Sequence, residues 1–340
     1  MNQDETALFS SDLVLEMEDV INVSSLKHKE TGIKVDNVVI EGIPVSDVTI
    51  TDQGEKNTNK KAGRYLSFHL ADSDGEKKNV VQVISHAMTS LVESPERYKK
   101  ILVVGLGNAR VTPDALGPGV INYLNVTEHL DVKPTPSLST FVPGVMGVTG
   151  LETEALIKGV VKETKPELVI LIDALKARHV ERVNRTIQLS NTGIQPGSGV
   201  GQKRQSIDQA YLGVPVISMG IPTVVDAVTV TYDAMTVMSK YFNKAQEALR
   251  APKQRLFQGV LHVGDIEETE PLTGSEANKY FGLFGSLSTD DQRHLINEVL
   301  TDEGRNLIVT PKSIDDDIHY LQQLLAKGIH DYIENAANKV

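Results

Sequence analysis

Residues 101–119 read ILVVGLGNARVTPDALGPG, an aliphatic run that breaks into glycines and then presents one acidic side chain, Asp114. The run Ile101-Leu102-Val103-Val104 is short, rich in β-branched residues and preceded by Lys99-Lys100. That is the pattern of a central strand covered on both faces of a parallel sheet. Gly105 and Gly107 let the backbone turn tightly where the strand ends. Open α/β sheets bind ligands at the carboxyl ends of their strands, so Asp114 is placed for chemistry.

Upstream, residues 80–91 carry apolar side chains at helical spacing, and Pro95 follows. His86 lies in that predicted helix and is read as a packed or solvated residue. Downstream, residues 120–130 are expected to form a helix, followed by the proline- and glycine-rich stretch PTPSLSTFVPGVMGVTG and a helix over 151–164. Leu168-Val169-Ile170-Leu171-Ile172 is a second buried strand, and its carboxyl end carries Asp173. A third run, 214–220, leads to Asp226. Two successive strand-loop-helix units would bring Asp114 and Asp173 to one edge of one sheet. The fold class expected is α/β, a mostly parallel sheet sandwiched by helices.

The flanks are different. Residues 32–70 form a β-rich segment: alternating β-branched residues over 32–50 predict strands of a hairpin or meander, 52–63 (DQGEKNTNKKAG) an exposed loop, and 65–70 another strand. Residues 1–12 form a polar leader ending in Ser10-Ser11-Asp12. Residues 240–340 read as a helical region, with helices over 239–249 and 314–336, suited to a cap or a subunit contact. Its Asp315-Asp316-Asp317 run is assigned to the helix macrodipole, not to a cation. Residues 13–340 are read as one domain.

At 340 residues the chain can bury a full core, and 40% hydrophobic and 23% charged residues describe an ordinary globular protein. Acidic residues outnumber basic ones, 45 to 34, and the net charge of -11 argues against a nucleic-acid partner. Cysteine is absent, so any nucleophile is an oxygen, a nitrogen or water. No apolar run approaches a membrane span, and MNQDETALFSSD has neither the basic nor the apolar part of a signal peptide. A cytoplasmic protein with no membrane partner is expected.

Two carboxylates within about 4–6 Å resist double ionisation, so one pKa rises and the pair shares a proton. Such a pair suits hydrolysis: one member takes a proton from water attacking an amide carbon, while the other polarises the carbonyl or protonates the leaving group. Asp114 and Asp173 are the candidates, against the alternative that each merely caps a helix. The GLGN turn does not complete a dinucleotide motif, because Arg110 stands three residues after Gly107, and no Walker lysine follows. The glycines of 193–204 suit either an anion cradle or a surface loop. Lys176, Arg178, Arg182, Lys203 and Arg204 are candidate contacts for an acidic peptide, with solvated surface charge as the alternative.

Five stretches in order, GLGNARVTPDALGP, VPGVMGVTG, LIDALKARHVERVN, TGIQPGSGVGQKR and GIPTVVDAVTV, resemble the germination proteases of spore-forming bacteria. The resemblance implies a core similar to hydrogenase-maturation peptidases, a phosphorylase/hydrolase-like α/β sandwich. It implies an atypical aspartic endopeptidase that degrades small acid-soluble spore proteins in the spore core at germination. It also implies a homotetramer made as a self-processing zymogen, with residues 1–12 as the propeptide. The family's catalytic aspartates correspond to Asp114, in TPDALGP, and Asp173, in LIDAL. Lys176 and His179 stand where relatives are expected to carry small neutral residues. Family zymogens trim themselves between an acidic and a large apolar residue, which fits Asp12-Leu13. No cofactor and no metal are expected. The rival readings are a metal-dependent peptidase of the hydrogenase-maturation type and a noncatalytic nucleotide- or anion-binding module.

Overall fold

The computed structural model describes residues 11–16, 32–58, 60–70, 77–131, 136–195, 205–250, 269–300 and 307–338. These fall into two compact units: the residues up to Val224 together with those from Thr310, and Val225–Val309. In chain order the elements are β1 (Ile33–Ile40), β2 (Ile43–Ile50), α1 (Asp52–Thr58), β3 (Gly63–His69), α2 (Lys77–Leu91), β4 (Lys100–Gly105), α3 (Leu116–Ile121) and β5 (Ser137–Phe141). There follow α4 (Thr153–Thr164), β6 (Leu168–Ala177), β7 (Thr186–Ser190), β8 (Val216–Asp226), α5 (Ala227–Arg250), α6 (Gly274–Phe281), α7 (Thr289–Leu300), β9 (Ile308–Val309) and α8 (Ile314–Ala337).

The larger unit is built on the strand order β1-β2-β3-β7-β8-β6-β4-β5. Its centre is parallel, β4 pairing with β5 on one side and β6 on the other. The β-rich segment extends this sheet through antiparallel pairs β1-β2, β2-β3 and β3-β7. Pleating sends successive side chains to opposite faces. Ile101 and Val103 of β4 join Ile170 and Ile172 under helices α2, α3 and α8, while Leu102 and Val104 join Val169 and Leu171 under α4. Each such fully buried aliphatic side chain contributes about 1.5–3 kcal/mol of burial free energy. This two-sided cover is why the strands read as unbroken apolar runs.

Three local expectations are corrected. The polar stretch expected as a loop over 52–63 instead begins with α1. Thr51 starts that helix, accepting Gly54 N–H on its hydroxyl (3.4 Å) and Glu55 N–H on its carbonyl (2.9 Å), with Asp52 and Glu55 in the positive first turn. The helix expected over 120–130 ends at Ile121, because Thr127 and Glu128 donate their N–H groups to Leu138 O beside β5. Finally β6 and β8 run past their apolar cores to Ala177 and Asp226. The pairing of β6 with β4 stops at Ile172, so Asp173 lies inside a strand that continues beyond its neighbour.

In the smaller unit Asp226 caps α5, its Oδ1 accepting Val228 N–H at 2.8 Å. Arg293 of α7 is 1% exposed and sits 4.2 Å from the ring centroid of Tyr232 in α5, a cation–π contact that offsets part of its desolvation. Among the described residues no helix is long and apolar enough to cross a membrane.

Candidate active site

Three glycines fold the loop after β4 onto β6 at Ile172. A Cβ on Gly105 would stand 2.3 Å from Gly117 O, and one on Gly117 would stand 2.3 Å from Leu106 O, so these backbones meet with no side chain between them. Leu106 N–H then donates to Ile172 O at 2.8 Å, tying the loop to the residue before Asp173. Gly107 has φ 115°, and a Cβ there would lie 2.1 Å from Asp114 O. Asn108 N–H donates to Asp114 Oδ2 at 2.8 Å. The residues flanking Asp114 are also clamped: Thr223 Oγ1 donates to Pro113 O at 2.6 Å, and Gln322 Nε2 to Ala115 O at 3.0 Å. Gly107→Ala is therefore expected to cost roughly 1–3 kcal/mol of backbone strain, displace Asp114, and reduce peptide cleavage far more than melting temperature. Parallel melting and cleavage assays check this, and unchanged cleavage would show that the turn does not set the carboxylate.

Asp173 accepts Ala174 N–H on Oδ1 at 2.9 Å. Strand β8 passes close by, since a Cβ on Gly220 would stand 2.8 Å from Asp173 O. Burial pushes the Asp173 pKa well above the ordinary carboxylate value, the negative charges of Asp114 and then Asp12 push it further, and the Ala174 N–H offsets part of the rise. Asp114 is raised by burial, with the Asn108 N–H acting in the opposite direction. The two aspartates are thus electrostatically coupled, and Asp173 holds its proton more strongly.

The third component is the segment 11–16. Asp12 N–H donates to Lys176 O at 2.9 Å, and Lys176 N–H donates to Asp12 Oδ2 at 2.8 Å. Leu13 is fully buried. Val14 N–H donates to Gln188 Oε1 at 2.7 Å, while Gln188 Nε2 donates to Asp12 O at 3.1 Å. Lys60 Nζ donates to Ser11 O at 2.6 Å. Its pKa is lowered by burial, against the charges of Asp12 and Glu16. Glu16, 1% exposed, accepts the N–H groups of Arg178 (2.9 Å) and His179 (3.0 Å) and the Ser11 hydroxyl, and pairs with Arg182 Nε at 3.3 Å.

The structure therefore gathers Lys176, Arg178 and Arg182 around the segment that carries Asp12 and Leu13, Lys176 and Arg178 meeting it through main-chain groups, and the charge of Asp12 reaches Asp173. Lys203 and Arg204 lie outside the described residues. Sequence reasoning missed Lys60, Glu16 and Gln188. The available signals were a glutamate following Leu13-Val14-Leu15 and a glutamine inside the strand TIQLS. Among the described residues no three His, Asp or Glu side chains are grouped to hold a metal ion.

Two half-buried carboxylates whose pKa values are both raised, Asp173 the further, are the kind of pair that can take part in acid–base chemistry. The family profile described as "Germination protease" matches residues 7–339. The chain is 39% identical to the germination protease of Halalkalibacterium halodurans over 97% of its own length and 94% of that protein. It is 42% identical to that of Bacillus subtilis, over 85% of this chain and 83% of that protein. It is also 42% identical to that of Bacillus pumilus, over 93% and 89%. The chain belongs to the germination protease family and is a peptidase. A NiFe hydrogenase maturation protease from Thermococcus kodakarensis superposes with a TM-score of 0.29 at 17% identity, over 42% of this chain and 80% of that one. An overlap that low leaves the fold description resting on the strand order above.

Proposed function

We propose that this peptidase opens small acid-soluble spore proteins in the spore core at germination, cutting after an acidic residue with Asp114 and Asp173, and that it first cuts itself between Asp12 and Leu13. The observation that carries this reading is the Asp12–Leu13 bond held against Lys176 and Gln188, three residues along β6 from Asp173, with an acidic residue before it whose charge reaches Asp173 and a buried aliphatic one after it. Asp114 is the general base and Asp173 the general acid. A water oxygen adds to the Asp12 carbonyl carbon and loses a proton to Asp114. The carbon–nitrogen bond then breaks as Asp173 gives its proton to the Leu13 nitrogen, leaving a carboxylic acid on Asp12 and an amine on Leu13. The acidic residue at the cut helps, because its charge raises Asp173 and keeps the proton there. Before the cut, residues 1–12 act as a propeptide whose end fills the site. Assembly into a homotetramer belongs to the same reading and rests on the resemblance.

Carboxylates alone activate the water in this scheme, so hydrolysis of a spore-protein substrate is expected to continue at an unchanged rate after exhaustive chelation. Loss of activity in chelator, with recovery on adding zinc, nickel or manganese, would replace this reading with that of a metallopeptidase.

A further inference from the structure

Gln188 lies on β7, a strand buried along its whole length. Both ends of its amide are committed to the main chain of segment 11–16, Nε2 to Asp12 O at 3.1 Å and Oε1 to Val14 N–H at 2.7 Å. These contacts set the amide's orientation, because a carbonyl oxygen can be met only by the NH2 end and an N–H only by the oxygen. Asp12 and Val14 flank Leu13, so one side chain spans the bond proposed above to be cut. Gln188 also pairs with Gly220 across β7 and β8, and Gly220 in turn lies against Asp173 O. Gln188 and Asp173 therefore share one level of the sheet, with a single strand between them.

We infer that Gln188 is a catalytic residue, the donor that stabilises the carbonyl oxygen of the bond being cut. The inference rests on the reading of Asp12–Leu13 as that bond. When water adds to the Asp12 carbon, the carbonyl electron pair moves to oxygen, and a hydrogen bond to an ionised acceptor is roughly twice as strong as one to a neutral acceptor. The Gln188 N–H thus favours the tetrahedral intermediate over the starting amide, and its 3.1 Å contact already puts the donor on the oxygen that would take up the charge. Its oxygen meanwhile holds the second residue after the cut in register. Both contacts are to main chain, so Gln188 serves any substrate sequence and leaves selection to the groups around Asp12 and Glu16.

The test uses the full chain, wild type and with Gln188→Leu or Gln188→Glu, checked for folding by melting curves. Self-cleavage is followed by mass spectrometry. After trimming, kcat and KM are measured on a peptide copying residues 9–17 and on the same peptide N-methylated at the position of Val14. Both substitutions are expected to lower kcat about 10²-fold. N-methylation should cost roughly tenfold in kcat/KM for wild type and for Gln188→Glu, which keeps the acceptor, and nothing further for Gln188→Leu. If Gln188→Leu fails to fold, Gln188→Glu alone decides the catalytic role. A folded Gln188→Glu with kcat within about twofold of wild type across a whole pH series, where the new carboxyl both holds and loses its donor proton, would overturn the inference, since a purely structural clamp moves KM alone. So would an N-methyl penalty equal in wild type and Gln188→Leu. A wild-type chain that cuts neither itself nor the peptide removes the parent reading and this inference with it. A wild-type chain that cuts while indifferent to Gln188 removes this inference only.

Discussion

Asp114→Asn and Asp173→Asn are each expected to slow self-cleavage and substrate hydrolysis by about 10³-fold or more, because each takes away one end of a proton transfer that the other cannot perform alone. Asparagine matches aspartate in size, so the fold should persist, and Asp173→Asn should even gain stability. Burial, followed by the charges of Asp114 and Asp12, raises Asp173 above its unfolded value of 3.8, so the folded chain binds that proton more tightly than the unfolded chain does. The ionised side chain is a cost that is absent below the ordinary carboxylate range, grows as pH climbs, and is complete above the folded-state value. Asparagine never ionises. The variant should therefore melt above wild type near neutral pH, with the gap closing as pH falls. Single-turnover rates and melting curves across pH measure both effects, and a folded variant with near-normal rates would remove that aspartate from the chemistry.

The second large effect is the appearance of a new amino terminus at Leu13. Incubated at mildly acidic pH, the full chain should lose residues 1–12 in a reaction that is first order and independent of protein concentration. The rate should follow a bell: it falls on the alkaline side as Asp173 loses its proton and on the acid side as Asp114 gains one. Intact-mass measurement over a pH series reads the position of the cut and the profile together. A chain that stays whole, or is trimmed at the same rate when Asp114→Asn is introduced, would count against self-processing. So would a cut at a different bond.

The two aspartates were legible because each follows an aliphatic run; Asp114 lies in the loop after β4, and Asp173 lies on β6 just past the last residue paired with β4, where the sheet opens. The glycines were legible for the same local reason, and Gly107 proves to need a φ that other residues rarely adopt. What stayed hidden was whatever depends on distant contact. Glu16 is buried only because the N–H groups of Arg178 and His179, more than 160 residues away, turn towards it. Gln188 looked like an ordinary polar residue in a strand until segment 11–16 lay across it. The length of β6 was underestimated because its apolar run stops at Ile172, while its continuation is stabilised by Asp12 against Lys176. Helix α1 escaped notice because its start depends on one threonine cap and not on an apolar stripe.

If segment 11–16 takes the substrate's place, as proposed, the buried Glu16 sets how this protein meets its competitors for the site. A ligand joined to its own receptor is present at millimolar effective concentration however dilute the solution. If the docked segment alone bound with a Kd of about 10 µM, a local concentration of about 1 mM would keep it seated roughly 99% of the time. Diluting the protein changes nothing, and a free peptide must outcompete that local concentration. Cutting at Leu13 leaves Glu16 on the retained side of the bond, so the new terminus remains a tethered competitor until the carboxylate leaves Arg182 and the two main-chain N–H groups that hold it.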